Sequence, residues 1–184
     1  KPLILVSGLP MAVQAKNDLP STDLQRYVLR GDLDGLGELI DILTKQSINS
    51  SFERLDHTTN GQATTCIEGA SGLDMNAPVT IAACDNGMTY NNDKFDELML
   101  DEDVDIIVWG ARGYPGAIRD PKMYGWIDTN NSTNIINKVS VKVPLLNPTN
   151  DNIVVGAFTF KKLRHFFEAV ERMKARKALV NNEY

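Results

Sequence analysis

The sequence has few of the residues that build metal cages and nucleophilic catalytic sets. It contains two cysteines and two histidines, and Cys66 and Cys84 lack the spacing of metal ligands. We expect both cysteines to be buried thiols inside predicted elements, in the reducing environment of the cytoplasm. His57 falls in a polar loop and His165 on the last predicted helix, so a Ser/His/Asp or Cys/His catalytic set is disfavoured.

Long apolar runs and an excess of basic charge are also missing. No stretch approaches the length of a membrane span, and nothing resembles a signal peptide. With 19 basic and 24 acidic residues the net charge is −5, which disfavours nucleic acid and anionic membranes as partners. The glycine-rich stretch 110–116 lacks the Lys-Ser/Thr ending of a P-loop. The 184 residues, 42% of them hydrophobic, predict one globular domain, 1–184, and leave homo-oligomerisation open.

Short apolar runs alternate with helical patterns through the first 110 residues. Strands are predicted near 3–6, 26–29, 51–55, 79–84 and 104–108, and helices near 11–16, 36–43, 61–67 and 95–99. This order is typical of an α/β protein with a Rossmann-like mixed, mainly parallel sheet flanked by helices. After residue 120 three strand-like runs follow one another, at 124–127, 137–143 and 154–160, and predict an antiparallel addition. Apolar residues at helical spacing over 163–173 predict a terminal packing helix.

The stretch 79–87 is the strongest candidate for a site. Its continuous apolar run predicts a central strand that is buried on both faces, and Asp85-Asn86-Gly87 predicts a turn at its carboxyl end. Open α/β sheets bind ligands at that edge, where a lone carboxylate suits a hard cation that carries phosphates. A turn at Asp85 with no chemical role is an equally good interpretation of this stretch alone.

Eight short segments, spread over the whole chain, form an ordered set. They are Lys1-Pro2-Leu3-Ile4, Gly8-Leu9-Pro10-Met11, Thr59-Asn60-Gly61-Gln62-Ala63, Cys84-Asp85-Asn86-Gly87, Tyr124-Gly125-Trp126-Ile127, Val139-Ser140-Val141-Lys142, Val155-Gly156-Ala157-Phe158-Thr159-Phe160 and Asn182-Glu183. Together they resemble motifs of the sugar-phosphate nucleotidyltransferases, or nucleotide-sugar pyrophosphorylases. The resemblance implies the nucleotide-diphospho-sugar transferase type of fold. It also implies Mg²⁺-dependent transfer of a nucleotide from a nucleoside triphosphate to a sugar 1-phosphate, in the supply of precursors for surface polysaccharides.

The resemblance also implies roles for individual residues. Asp85 would bind the metal and, with Gly61 and Gln62, the nucleotide. Lys1 and Lys142 would be the catalytic lysines that contact phosphates. The sugar would be bound by Trp109, Gly125, Lys142 and Glu183. Each has a structural alternative: an exposed strand lysine at 142, a helix start at 61–62, a turn glycine at 125 and a core tryptophan at 109.

The sequence departs from the family pattern in three places. A Gly-x-Gly-x-Arg loop is expected before Lys1 and a second metal-binding aspartate after Tyr184, so the chain resembles a fragment of a longer domain. Val141 stands where the family commonly has Glu. Two other functions remain open. A glycosyltransferase would use Asp-x-Asp, which Asp85-Asn86-Gly87 does not provide, and a non-catalytic nucleotide-sugar-binding domain would need no signature loop.

Overall fold

The structure is a computed structural model that describes residues 2–47, 49–130 and 132–179 of the chain. Its strands are β1 (Leu5–Val6), β2 (Leu9–Pro10), β3 (Gln25–Arg30), β4 (Ser50–Leu55), β5 (Val79–Ala82), β6 (Ile106–Ala111), β7 (Gly125–Thr129), β8 (Ile136–Val141) and β9 (Asn152–Phe160). Its α-helices are α1 (Met11–Asn17), α2 (Leu36–Gln46), α3 (Gln62–Gly69), α4 (Asn92–Leu100), α5 (Pro115–Arg119) and α6 (Leu163–Ala175). The predicted α/β class is confirmed.

The first part of the chain follows the predicted alternation closely. β3 and β4 form a parallel pair, in register from Gln25 opposite Ser50 onwards, and α2 connects them. Leu39 and Leu43, one helical turn apart on α2, are fully buried. They pack with Val13 of α1, so a small core lies beside this parallel pair.

The second sheet has five strands, and β9 lies at its centre. Residues 158–160 of β9 pair with both β5 and β6, while Ile153 pairs with both Ala111 of β6 and Trp126 of β7. Because a strand has only two edges, β6 occupies one edge of β9, and β5 and β7 share the other. β8 pairs with β7 and completes the sheet.

The strand pairs of this sheet are all antiparallel. β5 and β6 therefore run in the same direction, with β9 inserted between them. The antiparallel addition after residue 120 is formed by β7, β8 and β9. Among the described residues, parallel pairing is limited to β3 and β4. The sequence predicted a mainly parallel sheet, with more strands paired in this way. The difference arises because β9 lies between β5 and β6 and separates them.

The prediction of a central, doubly buried strand at 79–84 is wrong. β5 spans Val79–Ala82, all four of its residues are only half-buried, and in the described part of the chain it pairs with β9 alone. The longer β9 takes the central position and leaves β5 at an edge. The prediction of a buried thiol is wrong for Cys84, which lies beyond the strand and is exposed. Cys66 lies inside α3 as predicted, where it is half-buried and packs against the core cluster.

Helices α3 and α6 cover the five-stranded sheet. Phe166 and Val170 of α6 are buried with Phe160 of β9, and Ile67 of α3 and Ile81 of β5 pack around them. Burying each large side chain of such a cluster contributes roughly 1.5–3 kcal/mol. The terminal packing helix predicted over 163–173 is thereby confirmed.

Helix α5 was not predicted. It has five residues, too few to show a helical period, and a 3₁₀ turn at Pro121–Met123 follows it. Pro115 begins the helix at a position where its missing N–H has no cost. Ala117 is buried against Trp126 and Ile153, so α5 packs on the start of β7. None of the helices described here has the length and apolar character required to cross a membrane.

Candidate active site

The central strand β9 is irregular near its middle. Val108 and Gly110 of β6 are two residues apart, but their partners on β9 are four residues apart, so residues 155–157 face Trp109 alone. Gly156, in the middle of this bulge, has a φ of +95°, which L side chains rarely adopt. Bulges of this kind are common beside active sites, where they change the direction of neighbouring side chains.

The opposite edge of β9 is open at the same place. The pairing with β5 ends where Ala82 meets Ala157, and the pairing with β7 begins where Trp126 meets Ile153. Among the described residues, no strand therefore pairs with 154–156 on that edge, and the carboxyl end of β5 faces the start of β7 across them. We call this break in the sheet the β9 opening.

The turn that contains Asp85 forms one side of the β9 opening. Asp85 is exposed and follows the end of β5 by three residues. The side-chain nitrogen of Asn86 lies 2.6 Å from the position that a Cβ on Gly156 would take, so Asn86 packs directly on the bulge. The next residue, Gly87, lies against the carboxylate of Asp18 at the end of α1. Contacts with β9 and α1 thus fix the turn at the predicted strand end.

The start of β7 forms the other side. Gly125 pairs with Val141, and a Cβ on Gly125 would lie 3.2 Å from the side chain of Val154 on β9. The backbone N–H of Lys142 donates to the carbonyl of Tyr124 over 3.0 Å. Lys142 is exposed and has a φ of +57°. The β7–β8 ladder therefore brings together two of the residues predicted to bind the sugar, Gly125 and Lys142.

Trp109 lies opposite the bulge, but its contacts are those of a packing residue. Its indole N–H donates to the hydroxyl of Thr159 over 3.0 Å, and that hydroxyl is also bonded to Thr80. Its ring stacks on Phe95 with centroids 5.5 Å apart and meets the edge of Tyr90 at 5.0 Å. The indole N–H is thus already used inside the protein, and the sugar-binding role of Trp109 stays a prediction.

The predicted nucleotide-binding pair, Gly61 and Gln62, lies at the other sheet. Gly61 precedes α3 with a φ of +111°, and Gln62 is the exposed first residue of that helix. The hydroxyl oxygens of Thr59 and Thr65 lie 3.1 and 3.3 Å from the Gly61 carbonyl oxygen and within hydrogen-bond distance of each other, so one hydroxyl donates to the carbonyl and the other donates to its neighbouring hydroxyl. Beside this loop, at the carboxyl ends of β3 and β4, is a cavity of about 110 Å³ that His57 and three threonines help to line.

Helix α3 connects this loop with the five-stranded sheet. Arg26 of β3 donates to the carbonyls of Gly69 and Ser71 over 3.1 and 2.8 Å, while Cys66 and Ile67 belong to the cluster around Phe160. Burial raises the pKa of the Cys66 thiol to about 11, so this thiol stays protonated at neutral pH. α3 therefore holds Gly61 and Gln62 in a fixed relation to β9. Lys1 and Glu183 lie outside the described residues.

Comparison with known proteins gives similarity in structure only. No protein-family model matches the chain, and no curated protein sequence matches it significantly. A nucleoside-diphosphate-sugar pyrophosphorylase from Vibrio cholerae RC9 superposes with a TM-score of 0.76 at 16% identity, covering 100% of this chain and 75% of the other. A protein assigned as a glucose-1-phosphate thymidylyltransferase, from Bacillus anthracis, gives 0.70 at 16% identity, covering 99% and 71%. The inositol-1-phosphate CTP transferase of T. maritima gives 0.65 at 13% identity, covering 91% and 63%.

The chain has the fold of the sugar-phosphate nucleotidyltransferases. The resemblance seen in the sequence is therefore confirmed at the level of the fold. Whether the chain is a fragment, and what each predicted site residue does, stay predictions.

The residues at the β9 opening of this nucleotidyltransferase fold are compatible with Mg²⁺. Among the described residues no three His, Cys, Asp or Glu side chains lie close enough together to hold a metal ion by themselves. Mg²⁺ keeps several waters and needs only one or two protein carboxylates when substrate phosphates supply further oxygens. The exposed carboxylate of Asp85, at the strand end, fits this mode of binding.

Sequence reasoning missed two features of the region around the β9 opening. One is the contact of Asn86 with Gly156, which a glycine inside a strand pattern could have indicated. The other is the pair Tyr114 and Tyr124, whose rings meet edge to face at 5.9 Å. Both rings lie over Gly116, where a Cβ would be 2.7 Å from one ring and 2.8 Å from the hydroxyl of the other. Pro115 was the signal in the sequence that could have indicated the start of α5, the helix that directly follows Tyr114.

Proposed function

We propose that the chain catalyses Mg²⁺-dependent transfer of a nucleotide from a nucleoside triphosphate to a sugar 1-phosphate, with release of pyrophosphate. The observation that best supports this is the β9 opening, which has the Asp85 turn on one side and Gly125 with Lys142 on the other. Support also comes from a fold shared with proteins whose names state reactions of this class.

The size of the opening suits two substrates that meet at a phosphate. The pairs that bound it, at Ile153 and Ala157, are four residues apart on β9, which corresponds to at most about 13 Å at 3.3 Å per residue. A metal-bound phosphate beside Asp85 and a sugar beside Gly125 would both fit within this length. The oxygen of the sugar phosphate could then attack the α-phosphorus in line while pyrophosphate leaves.

Positioning and charge neutralisation account for most of the rate in such a reaction, because the protein contributes little covalent chemistry. Asp85 would hold Mg²⁺, which when bound supplies the positive charge that offsets the repulsion between the phosphates. Lys142, exposed at the rim, would add a compact positive charge toward the sugar phosphate. Lys1 is proposed to contact phosphates as well.

The remaining predicted residues would select the two substrates. Gly61 lets a base approach the backbone, and Gln62 offers both a donor and an acceptor to the base edge. Gly125 leaves room for the sugar ring, with Trp109 and Glu183 as further sugar contacts. We propose a cytoplasmic role in the supply of nucleotide sugars for surface polysaccharides.

The direct test is a pyrophosphate-release assay. The protein is incubated with Mg²⁺ and with each pair from a panel of nucleoside triphosphates and hexose 1-phosphates. The proposal expects turnover with at least one pair and loss of turnover on addition of EDTA. If nucleotide sugars bind but no pair is turned over, the non-catalytic binding domain becomes the better explanation.

A further inference from the structure

A second cavity lies at the far end of β7, apart from the β9 opening. Its volume is about 240 Å³. It is formed where β6 and β7 end and β9 begins, and is lined by Arg112, Ile127, Asp128, Thr129, Asn150, Asp151 and Asn152. Ile127, the lining residue nearest to Gly125 on this strand, is two residues away from it, so this cavity begins about 7 Å along β7 from the predicted sugar-binding element.

One guanidinium is held in this cavity by a chain of hydrogen bonds. The Nε–H of Arg112 donates to the side-chain oxygen of Asn152 over 2.8 Å, and the Asn152 amide donates to the Thr129 hydroxyl over 3.3 Å. Within residues 2–47, 49–130 and 132–179, the two terminal nitrogens of Arg112 have neither a hydrogen bond nor an ion pair. The bond through Nε orders the planar group and leaves its outer donors available to a ligand.

Two carboxylates line the same cavity without neutralising this charge. One oxygen of Asp151 accepts from the backbone N–H of Asn147 over 2.7 Å, while the carboxylate of Asp128, a residue paired with Lys138 in the β7–β8 ladder, has no hydrogen bond or ion pair with the described residues. In the part of the chain that the structure describes, neither carboxylate forms an ion pair with Arg112. The cavity therefore offers separate donors and acceptors, and their formal charges sum to −1.

This set of groups restricts the chemistry of a ligand. Two carboxylates repel a phosphate, and the guanidinium repels a metal ion or an amine. A hydroxyl group, in contrast, donates to a carboxylate and accepts from a guanidinium or an amide. The lining is mainly polar, because the side chain of Ile127 is only 3% exposed and offers little apolar surface, so a ligand would be held mainly by hydrogen bonds. The volume is below the 300–1,000 Å³ typical of drug-sized ligands, so a single ring fits.

We propose that this cavity is a binding site for a neutral monosaccharide unit, with the sugar hydroxyls between Arg112 and Asp128. The inference does not depend on the proposed enzymatic reaction, because it rests on the lining of a separate cavity. It is tested by binding, which remains measurable if the chain is not a catalyst.

The experiment is a titration of the ¹⁵N-labelled protein with glucose, galactose, mannose and N-acetylglucosamine, followed by NMR. At least one sugar should bind saturably with a Kd on the order of 1 mM, as expected for a ligand of about 12 heavy atoms. Arg112→Gln and Asp128→Asn should each weaken that binding about tenfold. The exposed Asp41→Asn on α2 is the matched control and should leave it unchanged.

Three outcomes would overturn the inference. The first is that none of the four sugars binds saturably. The second is that a sugar binds but neither variant weakens its binding. The third is that inorganic phosphate binds and that only Arg112→Gln abolishes this binding. The carboxylate of Asp128 makes no bond with the described residues, so Asp128→Asn should fold normally. This variant keeps the test valid if Arg112→Gln is unstable. In either case the pyrophosphate-release assay is scored separately.

Discussion

The two parts of the proposed site are built in different ways. At the β9 opening, Gly125 lies in the paired β7–β8 ladder and Gly156 lies in the bulge of β9, where packing on it positions Asn86. At the start of α3, Gly61 is held by hydroxyl groups of Thr59 and Thr65 in a loop. A change at either of these glycines should therefore disturb stability and chemistry together. A change at the loop should alter nucleotide binding and little else.

The largest expected effect is at Asp85. If the Asp85 carboxylate binds Mg²⁺, Asp85→Ala should lower turnover at least 100-fold. Without the ion, the repulsion between the nucleoside triphosphate and the sugar 1-phosphate is no longer neutralised. The side chain is exposed, so the melting temperature should change by no more than about 2 °C. Turnover is measured as pyrophosphate release at saturating Mg²⁺, and melting by calorimetry.

The control for this variant is Asp41→Ala, which removes an equally exposed carboxylate on α2. It should keep full turnover and a similar melting temperature. A variant at Asp85 that melts far earlier but keeps its turnover would show that the turn is structural and would remove the proposed metal site.

The next effect concerns the bulge itself. Gly156→Ala forces an L side chain into a φ of +95° and displaces Asn86, so we expect a loss of about 2 kcal/mol in unfolding free energy and a fall in turnover. Gly72→Ala is the matched control, because Gly72 also has a positive φ, +76°, but a Cβ there would meet nothing within 4 Å. Its cost should be about 1 kcal/mol, from backbone strain alone.

Urea unfolding of both glycine variants measures this difference. Adding Asn86→Ala to Gly156→Ala should recover part of the stability, since the contact is removed while the strain remains. Equal losses in Gly156→Ala and Gly72→Ala, with turnover intact in both, would show that the packing of Asn86 has no importance.

The contrast between the two parts also shows what could be predicted from the sequence. The parallel pair β3 and β4, with α2 between them, could be predicted from local patterns. Each strand is a short apolar run, and the segment between the two runs has apolar residues at helical spacing. The Asp85 turn follows from the acid, amide and glycine after an apolar run. Local patterns also give α6, since its apolar face repeats over three turns.

The pairing of β9 could not be predicted in the same way. Its partners on β5 lie about 80 residues earlier in the chain, and no local property of 154–160 selects them. The half-burial of β5 and the opening between Ala82 and Trp126 both depend on this long-range pairing of β9. The sequence could indicate that Asp85 and Gly125 belong to one site, but only through the family resemblance.

A smaller effect is expected at Lys142. This residue has a φ of +57°, so Lys142→Gly should relieve backbone strain and raise the unfolding free energy by up to about 1 kcal/mol. The same change removes the proposed contact with the sugar phosphate and should lower kcat/KM for that substrate about tenfold. Lys142→Ala keeps the strain and loses the amine, so it should lose activity without gaining stability. Unchanged kcat/KM in both variants would mean that Lys142 is an exposed strand-end residue.

The smallest expected effect is at Gln62, and it tests the loop side of the comparison. Gln62 is exposed and begins α3, so Gln62→Ala should leave the unfolding free energy within about 0.5 kcal/mol of the original. If its amide meets the base, KM for the nucleoside triphosphate should rise five- to tenfold, the cost of one or two hydrogen bonds, while kcat stays the same. Gln62→Glu keeps the acceptor and removes the donor, which separates the two contacts. Gln46→Ala, at the exposed end of α2, is the control and should change neither parameter. If Gln62→Ala changes kcat rather than KM, Gln62 takes part in the chemistry at the β9 opening and not in nucleotide binding.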